Sequence, residues 1–111
     1  MTPIPSVAAD QIRQMVQRLV ERFRPEKVIL FGSHARGEAG PDSDVDLLVV
    51  MPISGSRRLL GRDMTMSVAG LGVSNDIVVV SPEELERDRD QIGTVIRPAV
   101  REGLVLHERP A

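Results

Sequence analysis

From Ser6 to Arg24 the apolar residues Ile12, Met15, Val16, Leu19, Val20 and Phe23 recur at helical spacing. Ser6 stands where an N-cap would, and Pro25 halts the pattern, so the spacing predicts an amphipathic helix between them. The period then changes. Lys27 to Phe31 (KVILF) is a short β-branched-rich run closing on Gly32, the profile of a buried strand. A turn or short helix is expected over Ser33 to Gly37 and a loop over Glu38 to Asp42 (EAGPD). Asp44 to Met51 (DVDLLVVM) reads as a second strand, stopped by Pro52. Its downstream half is apolar at every position, as in a strand covered on both faces.

Leu60, Met64 and Val68 form an i, i+4 ridge, predicting a further helix that ends near Gly70 or Gly72 despite the helix-weakening Gly61. Asp76 to Val80 (DIVVV) is a third strand. Ser81-Pro82-Glu83-Glu84 carries an N-cap, a proline at the first helical position and a capping-box glutamate, starting a helix that runs to about Asp90. Another is expected around Thr94 to Glu102, with Pro98 confined to its first turn or marking a kink. Gly103 ends it, and Leu104 to His107 reads as a short edge strand. Helices alternating with short strands indicate an α/β or α+β domain.

Composition narrows this reading. With 111 residues and two Phe as the only aromatics, the chain is expected to form one domain with an aliphatic core, filled out by Met15, Met51, Met64 and Met66. There is no cysteine, which excludes disulfides and thiolate metal sites. The start, Met-Thr-Pro-Ile-Pro, lacks the features of a signal peptide, and no apolar run approaches the length of a membrane span, so a cytoplasmic chain is expected. A net charge of −2 gives no general pull toward nucleic acid.

The candidate chemistry lies between Phe31 and Val50. Gly32-Ser33 sits where a strand gives way to a turn, a place where backbone amides are unpaired and a glycine allows close approach of a phosphate. Ser33 can add a hydroxyl to the same oxygens, or simply cap the short helix. Asp44 and Asp46 head the second strand two residues apart, which puts their side chains on one face, about 6.6 Å apart along the strand. Paired carboxylates repel unless a cation lies between them, and carboxylate oxygens suit Mg²⁺. Asp76 heads the third strand, and if the two strands are neighbours its carboxylate joins the pair. Three such acids can hold two metals about 3.5–4 Å apart for in-line attack on phosphorus.

Spacing alone does not carry that reading. Asp88-Arg89-Asp90 has the same spacing but falls in an expected helix, where i and i+2 do not share a face. No lysine follows Gly32 as a P-loop requires, and Gly32, Gly37 and Gly40 have the wrong intervals for a dinucleotide fingerprint. His34 reads as a solvated turn residue. Arg36 is equally suited to a phosphate and to an ion pair with Glu38 or an acid of the loop.

Gly32-Ser33 followed, after ten residues, by Asp44-x-Asp46 resembles the signature of the nucleotidyltransferase superfamily related to DNA polymerase β. Within it, the chain is similar to the minimal nucleotidyltransferases, antitoxin partners of HEPN-domain toxins. The resemblance implies one domain over residues 1–111, with a small mixed β-sheet flanked by helices. It implies that Asp44, Asp46 and Asp76 bind Mg²⁺ and serve catalysis, and that Gly32, Ser33, Arg36 and Ser43 hold the triphosphate of ATP. The implied activity is transfer of AMP to a tyrosine hydroxyl of the toxin, with neutralisation by binding alone as the alternative. The chain has no tyrosine, so such an acceptor must lie on another protein.

Overall fold

The structure, a computed structural model, describes residues 2–110. Five helices and four strands follow in the order α1 (Ala9–Phe23), β1 (Lys27–Phe31), α2 (Ser33–Arg36), β2 (Val45–Val50), α3 (Arg57–Ser67), β3 (Asn75–Val80), α4 (Pro82–Asp88), α5 (Ile96–Glu102) and β4 (Leu104–Glu108). Every expected element is present, and the differences lie at the ends.

Helix α1 begins at Ala9, not directly after Ser6. Ser6 instead organises the turn before it: its hydroxyl oxygen accepts from the Ala8 N–H at 3.0 Å and its carbonyl from the Ala9 N–H at 3.2 Å. The helix closes on Arg24 in the left-handed conformation, φ 50°, ahead of Pro25. Strand β2 starts at Val45, so Asp44 is its lead-in. Helix α3 ends at Ser67, before either glycine, and Met66 is 62% exposed, contrary to its expected place in the core. The capping box of α4 forms as its sequence predicts, with Ser81 Oγ accepting from the Glu84 N–H and Glu84 Oε1 from the Ser81 N–H. Pro98 is the third residue of α5 and therefore sits in its first turn, where no intrahelical N–H is required of it.

The strands form one mixed sheet in the order β3-β2-β1-β4. Strand β1 runs antiparallel to β2 and β4, while β2 and β3 are parallel. This arrangement puts the C-terminal end of β1 and the N-terminal ends of β2, β3 and β4 at the same end of the sheet. Both faces are covered. On one, Val28, Leu30, Val45, Leu47, Val49 and Val79 pack with Ile12, Met15, Leu19 and Met64 of α1 and α3. On the other, Ile29, Leu48, Val50 and Val80 pack with Leu85, Ile96 and Ala99 of α4 and α5. Burial on both faces explains the unbroken apolar run of β2. A Cβ at Gly103 would collide with Ile29 Cγ2 and the Ala99 carbonyl, so only glycine lets α5 turn back this closely onto β1. Among the described residues no helix is long and apolar enough to cross a membrane.

Candidate active site

The shared strand ends bring several of the residues singled out in the sequence to one end of the sheet. Asp46 is the second residue of β2, and its Cα partners are Phe31 on β1 and Asp76 on β3. In a parallel ladder such partners project from the same face. Here that is the face of Leu48 and Val50, the one covered by α4 and α5. Asp44 and Asp46 flank the fully buried Val45, which fixes this stretch of chain by pointing into the opposite core. Asp44 and Asp76 are exposed, and Asp46 is half-buried between them.

Asp44 is held from outside its own strand. Its Oδ1 accepts the hydroxyl of Ser74, the residue leading into β3, and the Ser74 carbonyl accepts the Val45 N–H at 2.9 Å. Nothing in the sequence marked Ser74 for this role, because the contact exists only once β2 and β3 are adjacent.

Gly32 closes the site on the β1 side. It has φ 75° and ψ −158°, a conformation that side-chain-bearing residues rarely adopt. A Cβ on Gly32 would overlap Asp46 Oδ2 and stand 3.2 Å from its Cγ, so the backbone bend and the carboxylate are in direct contact. The Gly32 carbonyl accepts from the N–H groups of Ala35 and Arg36 at 3.1 and 3.2 Å, turning the chain into α2. The amides of Ser33 and His34, in the first turn, have no partner within the helix.

Two further predicted residues are engaged locally. Ser43 Oγ accepts the Gly40 N–H at 2.9 Å, capping the loop turn. Arg36 Nε donates to Glu38 Oε1 at 2.7 Å and Nη1 lies 3.9 Å from Glu102 Oε2. His34 differs from expectation. It is only 2% exposed, and both ring nitrogens are in hydrogen-bonding contact, Nδ1 with Ser6 Oγ at 2.6 Å and Nε2 with the Ser43 carbonyl at 3.1 Å. It is buried because α2 turns it inward, beneath the loop, and no local pattern in the sequence discloses that loop's path. The control pair is only half in its expected helix: Asp88 closes α4, with Oδ2 2.8 Å from Arg87 Nη2, and Asp90 lies in the turn beyond it.

Burial raises the Asp46 carboxyl above its ordinary range, and the charges of Asp76 and then Asp44 push it further. Asp46 therefore keeps its proton to a higher pH than an isolated carboxylate would. The donors of the site are all carboxylate oxygens, the set that suits Mg²⁺. Among the described residues no three acidic or histidine side chains already close around a cation. Mg²⁺ does not need such a cage, since it ordinarily takes one or two carboxylates and completes its shell with water and substrate phosphates.

Comparison with known proteins gives the family and the fold. The family model described as a nucleotidyltransferase domain matches residues 12–108. A protein of Methanocaldococcus jannaschii named as a protein adenylyltransferase is 44% identical over 41 residues, covering 35% of this chain and 41% of that protein, so the alignment spans less than half of the relative. Among solved structures, one named as a nucleotidyltransferase from Sulfolobus solfataricus superposes with a TM-score of 0.62 at 22% identity, covering 90% of this chain and 79% of the other. A mutant of the MntA–HpeT toxin–antitoxin gives 0.66 at 16% identity, covering 86% and 72%. A toxin–antitoxin with AMP-PNP gives 0.58 at 21% identity, covering 87% and 73%.

Proposed function

This chain belongs to the nucleotidyltransferase domain family, and from that premise we propose that it transfers AMP from ATP to a hydroxyl of a partner toxin of the HEPN class, acting as its antitoxin. The observation that carries the reading is the contact between the Gly32 bend and the Asp46 carboxylate, with Asp76 aligned beside it. A phosphate-binding backbone and a metal-binding acid within one contact distance suit a metal-loaded triphosphate. The similarity to a protein named as an adenylyltransferase supports AMP as the group moved. The shared fold with toxin–antitoxin structures, one of them with AMP-PNP, supports a toxin as partner and ATP as donor.

In this mechanism Gly32 and Ser33 receive the phosphates on free backbone amides and the serine hydroxyl. Arg36 leaves Glu38 to reach the same oxygens, and Ser43 keeps the loop closed beside them. Asp44, Asp46 and Asp76 would hold Mg²⁺, which neutralises the triphosphate and supports charge on the attacking and leaving oxygens. Asp76, the more exposed member of the aligned pair, takes the proton of the acceptor hydroxyl. That oxygen bonds to the α-phosphorus, the bond from phosphorus to the bridging oxygen breaks, and pyrophosphate departs.

The test is to incubate the chain with α-labelled ATP, Mg²⁺ and the product of the adjacent reading frame. Label on that protein is the expected result; no label with any of the four ribonucleotides overturns the reading.

A further inference from the structure

We infer that His34 is a positioning residue that holds the acid-bearing loop in register with the phosphate bend, an inference that rests on the nucleotidyltransferase reading of this site. His34 follows the bend by two residues on α2, and its ring spans from the N-terminal segment to the loop entering β2. Nε2 contacts the Ser43 carbonyl, which immediately precedes Asp44, and a carbonyl can only accept, so the proton is on Nε2. Nδ1 then accepts the hydroxyl proton of Ser6, whose oxygen accepts in turn from the Ala8 N–H. One neutral tautomer satisfies every group in the series.

The turn over Gly40 to Ser43 is bonded mainly to itself, Gly40 N–H to Ser43 Oγ and Ser43 N–H to the Gly40 carbonyl. Gly37, Glu38, Gly40, Pro41 and Asp42 are exposed, so burial contributes little to its conformation. Behind it lies a cavity of about 220 Å³, bordered by Val7, Gln11, His34, Pro41, Ser43 and Ser74. The imidazole forms part of its wall, between Ser6 and Ser43. Asp44 is thus fixed from two directions: His34 holds the peptide group before it, and Ser74 holds its carboxylate. A merely space-filling histidine would affect folding and leave the metal site's affinity untouched.

Two substitutions separate the ring's two contacts. In His34→Gln the side-chain amide reaches the Nε2 position and can still donate to the Ser43 carbonyl. In His34→Asn it stops near the Nδ1 position and faces Ser6. Mn²⁺·ATP binding, measured by titration calorimetry beside thermal unfolding, should weaken about five- to tenfold in His34→Asn and stay within about threefold of the parent in His34→Gln. Equal affinities in the two variants, or losses that merely follow their melting temperatures, overturn the inference. Ser6→Ala leaves the ring in place and serves if an imidazole substitution prevents folding. Its amides over 40–44 should exchange about tenfold faster with those of β1 unchanged, and unchanged loop exchange overturns the inference. Asp46→Asn is the reference. If it alone loses Mn²⁺·ATP, the role of His34 is refuted and the site stands; if it retains full affinity, the reading of the site falls, and the His34 inference with it.

Discussion

Asp46 and Asp76 are Cα partners in the parallel ladder of β2 and β3, and their carboxylates leave the same face at the same level. Backbone register sets two like charges side by side, and only side-chain rotation can move them apart. The strain falls on Asp46, the less exposed of the pair, whose carboxyl is raised first by burial and then by Asp76 and Asp44. On the proposed reading, a bound cation would offset this cost.

Replacing Asp46 by Asn should therefore separate stability from activity. An acid whose carboxyl is raised in the folded state loses its proton first in the unfolded chain, so stability falls as pH climbs above 3.8 through the raised folded value. The amide removes that loss. Because solvent screens much of the effect, the expected gain at pH 7 is roughly 0.5 kcal/mol, or about 2–4 °C in Tm. AMP transfer should drop by at least about 10²-fold. Differential scanning calorimetry and the labelling assay check both halves; a metal-free variant less stable than the parent at pH 7 would contradict the electrostatic account.

Gly32→Ala meets two obstacles, the positive φ and the overlap with Asp46 Oδ2. A cost of about 1–3 kcal/mol is expected from the backbone alone. Combining it with Asp46→Gly, which empties the space, should recover part of that cost but no activity. Urea unfolding of the single and double variants measures the coupling, and strict additivity would show that the contact is not what constrains position 32.

Nucleotide and metal should stabilise the chain only together with the acids. At a Mg²⁺·ATP concentration of about 100 Kd the expected stabilisation is ~2.7 kcal/mol, abolished by chelation. The double variant Asp44→Asn, Asp46→Asn should show no such shift and should leave the partner unlabelled. If cells carrying that variant remain protected from the toxin, neutralisation proceeds by binding and not by chemistry.

Away from the site, Glu84 offers a control on stability. The Ser81 N–H, and after it the Arg57 guanidinium, lower its carboxyl below the usual 4.5. Its contribution is therefore complete above that pH and disappears as pH falls through the lowered folded value. Glu84→Gln should cost about 1 kcal/mol at pH 7 and progressively less below pH 4.5, with transfer per folded molecule unchanged. A cost independent of pH would assign the effect to packing.

Much of this molecule was legible in its residues. Alternating period and capping chemistry located every element, because Ser81 to Glu84, Pro25 and Pro52 act locally. The meeting of Asp46 and Asp76 is conditional in the sequence on β2 and β3 being neighbours, a condition that the order of the sheet meets. What local pattern could not disclose was side-chain reach across the fold. Ser74 finds Asp44 thirty positions away, and His34 lies beneath a loop whose course depends on the sheet. Met66 is a related case: its hydrophobicity fits a core, but its helical phase turns it outward from the ridge formed by Met64 and Val68.

Strand β2 is uneven along its length. From Leu47 to Val50 every side chain is sealed between two helical layers, while Asp46 meets water. Amides at the sealed end should open only with global unfolding, and those beside Asp46 through smaller fluctuations. Of the three acids, Asp46 thus adjoins the least yielding stretch of the sheet, so on the proposed reading the loops can shift around a substrate with this carboxylate still anchored beneath them.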